Sequence, residues 1–140
     1  MNKCFYSVGG EFPDGNPKDF NIYTFDILLN QWNATDYKSS DRNWQRPAYG
    51  AGAQVESRGM GYLYGGWISN RTTPGYKGPP LALNSMMQFD FTTGNLKNST
   101  HPDGIGRAEG QLLYLPASDG GEKLRVRTTS ETYTDVVRVR

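Results

Sequence analysis

The stretch GYLYGG at residues 61–66 has a counterpart in FYSVGG at residues 5–10. Each is a short, mostly apolar run that ends in two glycines, and Gly65 lies 56 positions after Gly9. A run of this length bounded by glycine indicates a buried strand followed by a turn, because glycine adopts dihedral angles that other residues avoid. The doublet therefore predicts a strand that is used twice.

Two further signatures recur in the same order around the doublets. YTFD at 23–26 matches MQFD at 87–90, and RPAYGAGA at 46–53 matches RAEGQLLY at 107–114, 61 positions later. Asp26 and Asp90 are predicted to open tight turns, where a carboxylate accepts backbone N–H groups. Four positions further on, Asn30 and Gly94 both tolerate positive φ. Three signatures in one order predict an internal repeat.

The repeat unit is predicted to contain four short strands, which we label a to d. The first unit lacks strand a, the second is complete, and the third has strands a and b joined by an Asp-Gly turn at 119–121. The predicted strands are 4–8, 21–26 and 31–34 in the first unit, 50–55, 61–64, 85–90 and 95–98 in the second, and 110–115 and 123–126 in the third.

Units of four strands with a period of about 50 residues are typical of β-propeller blades, and the doublet pattern resembles kelch repeats. The similarity is closest to fungal kelch-type proteins, whose fold is related to the central domain of galactose oxidase. The residues that carry the resemblance are Gly9, Gly10, Tyr23, Asp26, Trp32, Arg46, Tyr64, Gly65, Gly66, Phe89, Asp90 and Arg107. The pattern is broken at Met87 and Leu96, which stand for a tyrosine and a tryptophan, and no doublet follows the third a–b hairpin.

The resemblance implies an all-β fold of antiparallel four-stranded blades, about two to two and a half in number, forming an open propeller. Residues 1–45 are expected to form blade 1 without its first strand, 46–106 a complete blade 2, and 107–140 a partial blade 3. The tail from about 122 contains no glycine or proline, and it is either a frayed end or an edge strand that completes the module. Since propellers need four or more blades, we expect a fragment of a larger propeller, or a protein that closes its propeller by oligomerising.

The motif residues have expected structural roles. The glycine doublets would let neighbouring blades approach closely, while Tyr64 and Trp32 would supply apolar area between blades. Arg46 and Arg107 are expected to be held between blades by carbonyl or carboxylate groups, because a buried arginine needs such partners.

Composition argues against several classes of function. The chain has 140 residues with 15 basic and 14 acidic side chains, a net charge of +1, so no strong field favours nucleic acid or an anionic membrane. No apolar run approaches the roughly 18 residues that span a bilayer. The sequence also shows no apolar segment of a signal peptide near its start, so we expect neither membrane insertion by this chain nor a cleaved leader.

Catalytic chemistry is not predicted. Cys4 and His101 are the only cysteine and histidine, which argues against an internal disulfide, a thiolate cluster and a histidine-built metal site, and no cofactor is expected. Copper chemistry of the galactose oxidase kind needs several histidine and tyrosine ligands. We therefore expect no enzyme activity. The alternative, a fragment of a propeller carbohydrate oxidase-like enzyme, requires blades outside this chain to carry the site.

Long connections are predicted on one face of the array. The b–c loops (11–20 and 67–84) and the d–a connections (35–45 and 99–106) are long, whereas the c–d turns are tight. Aromatic side chains on long loops of a rigid scaffold are candidate anchors for a partner. The candidates are Phe12, Phe20, Tyr37, Trp44, Trp67 and Tyr76. In the alternative, these rings pack at the base of the loops. A protein partner is favoured over a glycan, and open blade faces would allow self-association.

Three N-x-Ser/Thr sequons begin at Asn33, Asn70 and Asn98. Their number slightly favours a protein of the secretory pathway, either extracellular or on the lumenal side of a membrane-anchored parent protein, with these asparagines as glycosylation sites.

Overall fold

The computed structural model describes residues 4–41, 43–100, 104–116, 123–127 and 134–138. Over these ranges the protein is all-β, with a single 3₁₀ turn at Glu56–Arg58 and no α-helix. The strands are β1 Cys4–Val8, β2 Ile22–Asp26, β3 Gln31–Thr35, β4 Ala51–Val55, β5 Met60–Tyr64, β6 Trp67–Ile68, β7 Leu81–Ala82, β8 Ser85–Asp90, β9 Leu96–Thr100, β10 Gln111–Leu115, β11 Lys123–Arg127 and β12 Thr134–Arg138.

The strands form small antiparallel sheets and, in the described part of the chain, no closed barrel, which is consistent with an open, partial β-propeller. Sheet one has the order β1-β2-β3, sheet two β4-β5-β8-β9, and sheet three β10-β11-β12. Strands β6 and β7 form a separate two-stranded hairpin between β5 and β8. This all-β arrangement confirms the predicted fold class, while the boundaries at 45/46 and 106/107 stay predictions.

The predicted strands lie within two residues of the observed ones. The 123–126 prediction corresponds to β11, and the tail contributes β12, which pairs with β11 at the edge of sheet three. Of the two interpretations of the tail, the edge strand is therefore the one observed. The Asp-Gly turn predicted at 119–121 lies outside the described residues. The β6–β7 hairpin was not predicted, because two-residue strands leave no alternation for a sequence pattern to detect.

The two aspartates open the tight turns as predicted. One carboxylate oxygen of each accepts two successive backbone N–H groups at 2.8 and 3.0 Å, from Leu28 and Leu29 for Asp26 and from Thr92 and Thr93 for Asp90. The turns close at Asn30 and Gly94, with φ of 52° and 72°. These short turns fix the register of β2 with β3 and of β8 with β9.

The apolar core lies between the sheets and not within any one of them. Between sheets two and three the cluster consists of Ala51, Val55, Tyr62, Tyr64, Met86, Leu112 and Leu124. Between sheets one and two, Ile22, Phe89 and Leu96 are buried with partly buried rings around them. Each sheet therefore depends on its neighbour to remove its apolar face from water, at about 25 cal/mol per Å².

Tyr6 of β1 joins sheet one to sheet two. Its ring stacks on Phe91 at 4.5 Å and meets Phe89 edge to face at 5.7 Å. Burial, with a smaller contribution from Cys4, raises the pKa of Tyr6 to about 12. The phenol is therefore neutral over the physiological range, as suits a side chain packed among aromatic rings.

Trp32 differs from expectation, because it does not pack between sheets one and two. The side chain is 59% exposed and meets Phe25, its cross-strand neighbour, at 5.1 Å. Side chains alternate across a strand, so Phe25 faces away from Ile22 and from sheet two. Phe5 is opposite Phe25 on β1, and the three rings make an aromatic stripe across the outer face of sheet one.

Sheet one also differs from the other two at its inner edge. Among the described residues β1 has one neighbouring strand, β2, whereas sheets two and three begin one strand earlier, with β4 and β10. Beside β1, an apolar groove of about 480 Å³ opens toward β4 and β5 of sheet two, lined by side chains that include Val8, Ala53 and Leu63.

Candidate functional site

The glycine doublets join each sheet to the segment that leads into the next one. All four glycines have positive φ, between 64° and 100°. The Gly10 N–H donates to the Pro47 carbonyl at 2.9 Å, and the Gly66 N–H donates to the Arg107 carbonyl at 2.8 Å. A Cβ on the first glycine of either doublet would collide with the same carbonyl. The doublets therefore set the close approach of neighbouring sheets, which only glycine allows.

The segments that lead into the next sheet correspond at the two junctions with an offset of 60 positions, while the doublets are 56 positions apart. Pro47 and Arg107 make the equivalent hydrogen bonds, and Tyr49 and Glu109 have matching positive φ values of 58° and 57°. The offset of 61 expected from the sequence is thus displaced by one residue. Arg46 and Arg107 are not structural equivalents, and the residue at the second junction that corresponds to Arg46 is Gly106.

Arg107 is held by acceptors between the sheets, as expected. Its Nη1 donates to Tyr64 Oη at 3.1 Å and to the Ile105 carbonyl at 3.2 Å. Tyr64 Oη also lies 3.4 Å from the Ile105 carbonyl. This arginine therefore ties buried Tyr64 to the segment before sheet three.

Arg46 is more deeply buried and has fewer partners. It is 9% exposed, and its Nη2 donates to the Gly9 carbonyl at 2.6 Å. The Phe12 ring lies against the guanidinium, with Cζ 4.8 Å from the ring centroid. Nε and Nη1 are buried without a hydrogen-bond acceptor among the described residues. Burial lowers the pKa of Arg46, and Tyr23 offsets part of this effect, yet a guanidinium stays protonated in proteins.

Three of the predicted aromatic residues meet beside Arg46. Phe20 stacks on Trp44 at 5.4 Å and contacts Tyr37 edge to face at 5.7 Å. The three rings pack against the core between sheets one and two. The indole Nε1 of Trp44 is buried and, like the two Arg46 nitrogens, has no acceptor in the part of the chain that the structure describes.

These groups line a cleft of about 410 Å³ at the point where three of the long connections meet. Phe20 belongs to the first b–c loop, Trp44 and Arg46 to the d–a connection, and Thr73 to the second b–c loop. Polar side chains, Asp19, Asn43, Gln45 and Thr73, stand beside the rings. The volume and the mixed lining are those of a small-ligand or peptide side-chain site.

The remaining predicted anchors lie elsewhere. Phe12 packs on Arg46, and Trp67 lies in β6, where its backbone exchanges hydrogen bonds of 2.7 and 2.9 Å with Ala48. The Tyr76 hydroxyl donates to the Pro79 carbonyl at 2.7 Å. All six predicted rings are half-buried, so they line the loop bases and do not project into solvent. Their use in binding stays a prediction.

The sequence analysis missed Arg46, Asn43, Gln45 and Thr73 as members of a cleft. One available signal was the spacing of Trp44 and Arg46. A residue before proline is biased toward extended backbone, and in an extended segment side chains two apart point the same way. Asp19 was one of several scattered carboxylates with no distinguishing pattern.

The other sites singled out in the sequence are only partly described. Asn33, Asn70 and Asn98 are all exposed, the first and last within β3 and β9. Cys4 is a half-buried cysteine, and His101 lies outside the described residues. The described ranges contain no group of three or more His, Cys, Asp or Glu side chains that could hold a metal ion. They also contain no helix long and apolar enough to cross a membrane.

The fold is thus that of an all-β protein whose repeated sheets meet at junctions formed by glycine doublets. A kelch repeat-containing protein of Arthroderma benhamiae is 29% identical over an alignment that is 149 positions long, gaps included, and covers 79% of this chain. This similarity and the all-β fold support a kelch-like repeat protein. No family model matches the chain. The aligned region is 22% of the relative, so the chain spans about a fifth of that protein's length.

Proposed function

We propose that the chain is a non-catalytic interaction module that binds a protein partner at the cleft between its long connections. The observation that carries the proposal is the convergence of three long connections on one cleft lined by Trp44, Tyr37 and Arg46. Tryptophan, tyrosine and arginine are the residues most enriched among interface hot spots. A rigid sheet array that presents variable loops is a common arrangement for recognition.

We further propose that the module is part of a larger propeller. The similarity to a protein more than four times as long supports this, because the relative has room for further repeats. The division at 45/46 and 106/107 is part of the same proposal. Outer apolar faces, such as the stripe of Phe5, Phe25 and Trp32, suit burial against a further sheet or, in the oligomeric alternative, against another copy.

Selection from a random peptide library displayed on phage, with the intact chain immobilised, tests the binding proposal. Selected peptides should lose affinity for the two cleft variants Trp44→Ala and Gln45→Ala. Gln45 is an exposed cleft residue, so its substitution separates lost contact from lost folding. The matched control is Gln31→Ala, an exposed glutamine on β3.

Affinity that falls with the cleft variants and not with Gln31→Ala supports the proposal. Peptides that bind both cleft variants as they bind the original chain would overturn it, as would a failure to enrich any peptide. Glycan array binding that is lost in the same variants would replace the protein partner with a glycan.

A further inference from the structure

Around Arg46, buried N–H donors outnumber the acceptors that the described residues offer them. Two guanidinium nitrogens and the Trp44 indole nitrogen are buried without acceptors among the described residues. A buried N–H that lacks an acceptor costs about 1–3 kcal/mol, and more when it belongs to a charged group. All three atoms belong to side chains that only donate hydrogen bonds, so each atom needs an acceptor supplied by another group.

The charge at this place is also unbalanced. Arg46 is 9% exposed, and its single hydrogen bond to a described residue is to a neutral carbonyl, that of Gly9. The cation–π contact with Phe12 covers one face of the guanidinium and leaves its edge donors unaffected. Among the described residues that line the cleft, Asp19 is the one carboxylate, and it is exposed and forms no hydrogen bond with the arginine. The site therefore carries a buried positive charge that an incoming anion would neutralise.

We infer that the cleft binds a carboxylate presented by a protein partner, with Arg46 and the Trp44 indole N–H as its donors. This rests on the proposed function and names the chemistry of the partner. A planar monoanion with two acceptor oxygens matches the combination of a guanidinium and an indole N–H. The Asn43 and Gln45 amides beside the donors can both donate and accept, as the backbone groups flanking a glutamate or aspartate require.

Two capped tripeptides, acetyl-Ala-Glu-Ala-amide and acetyl-Ala-Gln-Ala-amide, are the probes, because they differ only in the carboxylate. The readout is the indole N–H signal in ¹H–¹⁵N spectra of the full chain. Its three tryptophans give three such signals, and exposed Trp32 and hairpin residue Trp67 serve as internal controls. The Glu peptide should shift the Trp44 signal in a saturable way, and the Gln peptide should bind at least about tenfold more weakly.

Substitutions then assign the donors. Arg46→Lys keeps the charge and loses the planar fork, so the Glu peptide should bind about tenfold more weakly. Arg46→Met should abolish its binding. Trp44→Phe keeps a stacking ring but loses the indole reporter, so its binding is followed by the Gln45 backbone amide signal and should weaken about threefold. Arg107→Lys changes the arginine at the other junction and should leave the affinity unchanged. Spectral dispersion verifies that each variant is folded, and Trp44→Phe keeps the test decisive if the Arg46 variants unfold.

Equal binding of the Glu and Gln peptides, or undiminished binding to Arg46→Met or Trp44→Phe, would overturn the inference, as would no shift of the Trp44 signal. A shift produced by a glucuronate oligosaccharide and not by the Glu peptide would overturn the assignment to a protein. If peptides selected from the library bind the cleft without carrying a carboxylate, the proposed function stands and the carboxylate assignment fails.

Discussion

The two junctions between sheets share one backbone arrangement and differ in what lies beside it. At the second junction, the position before the bridging carbonyl is Gly106, and a Cβ there would collide with the Ala82 carbonyl of β7. At the first junction that position is Arg46, whose whole side chain is accommodated. The described residues of the first b–c loop form no hairpin like that of β6 and β7.

The insertion of the β6–β7 hairpin in one loop therefore decides whether backbone occupies the space beside a junction or leaves room there for a side chain and a cleft. In the second unit, backbone hydrogen bonds join the hairpin region to the junction, where the Arg107 N–H donates to the Leu83 carbonyl at 2.9 Å. In the first unit, a side chain fills the corresponding space and brings buried donors with it. The repeated sheets carry the scaffold, while the unequal loops generate the difference between junctions.

The largest expected effect comes from filling the second junction. Gly106→Ala should destabilise the chain by about 3 kcal/mol, because its Cβ has no room against the backbone of β7. The loss is measured as the free energy of unfolding in urea. Gly52→Ala is the control, since the φ of Gly52 is not positive and a Cβ there would make only an ordinary contact, 3.8 Å from the Tyr62 carbonyl oxygen. Equal losses in the two variants would show that the hairpin does not restrict this junction.

The second glycine of each doublet offers a finer comparison. Gly10 and Gly66 have nearly the same φ, 100° and 97°, but only at Gly66 would a Cβ meet neighbours, with the Ala48 carbonyl oxygen at 2.7 Å. Gly10→Ala should cost about 1–2 kcal/mol through backbone strain alone. Gly66→Ala should cost about 1–2 kcal/mol more, because crowding adds to that strain. Urea unfolding of both variants measures the difference, and indistinguishable midpoints would contradict it.

The smallest expected effect concerns the turns. Backbone N–H groups of Thr93 and Thr92 lower the pKa of Asp90 below its usual value of 3.8. A carboxyl group with a lowered pKa in the folded state stabilises the fold above its unfolded pKa, and this contribution is lost as the pH falls toward the folded value. The stability difference between the original chain and Asp90→Asn should therefore shrink below about pH 4.

Thermal unfolding at several pH values measures this trend. Asp36→Asn, at an exposed aspartate of the d–a connection, is the comparison variant against which the trend is judged. A gap between Asp90→Asn and the original chain that stays constant across the acid range would contradict the assigned cause.

The repeat made much of the fold predictable from the sequence. Glycine doublets, the Asp26 and Asp90 turns and their positive-φ partners are local devices, each fixed by a few residues near in sequence. The strand positions followed from them. The predicted offset of the third signature is wrong by one residue, because it pairs two arginines that match in residue type. The observed correspondence depends on positive φ at Tyr49 and Glu109, and neither residue type indicates a positive φ.

The cleft was predictable only in parts. Phe20, Tyr37 and Trp44 were named as separate candidates, and nothing local shows that rings from two different connections stack together. Arg46 was expected to be held by a carbonyl, which holds for one of its three nitrogens. The other two nitrogens lack acceptors because of the course of the neighbouring loops, which is set by tertiary packing and not by local sequence.

The inner edge of sheet one has a consequence for handling the protein. Strand β1 contains no charged residue and no proline, the features with which natural edge strands discourage pairing between molecules. Beside it lie an apolar groove and, on the outer face, the exposed rings of Phe5 and Trp32. We expect this margin to favour edge-to-edge pairing between molecules at high concentration, and a single lysine introduced in β1 to act as a gatekeeper against it.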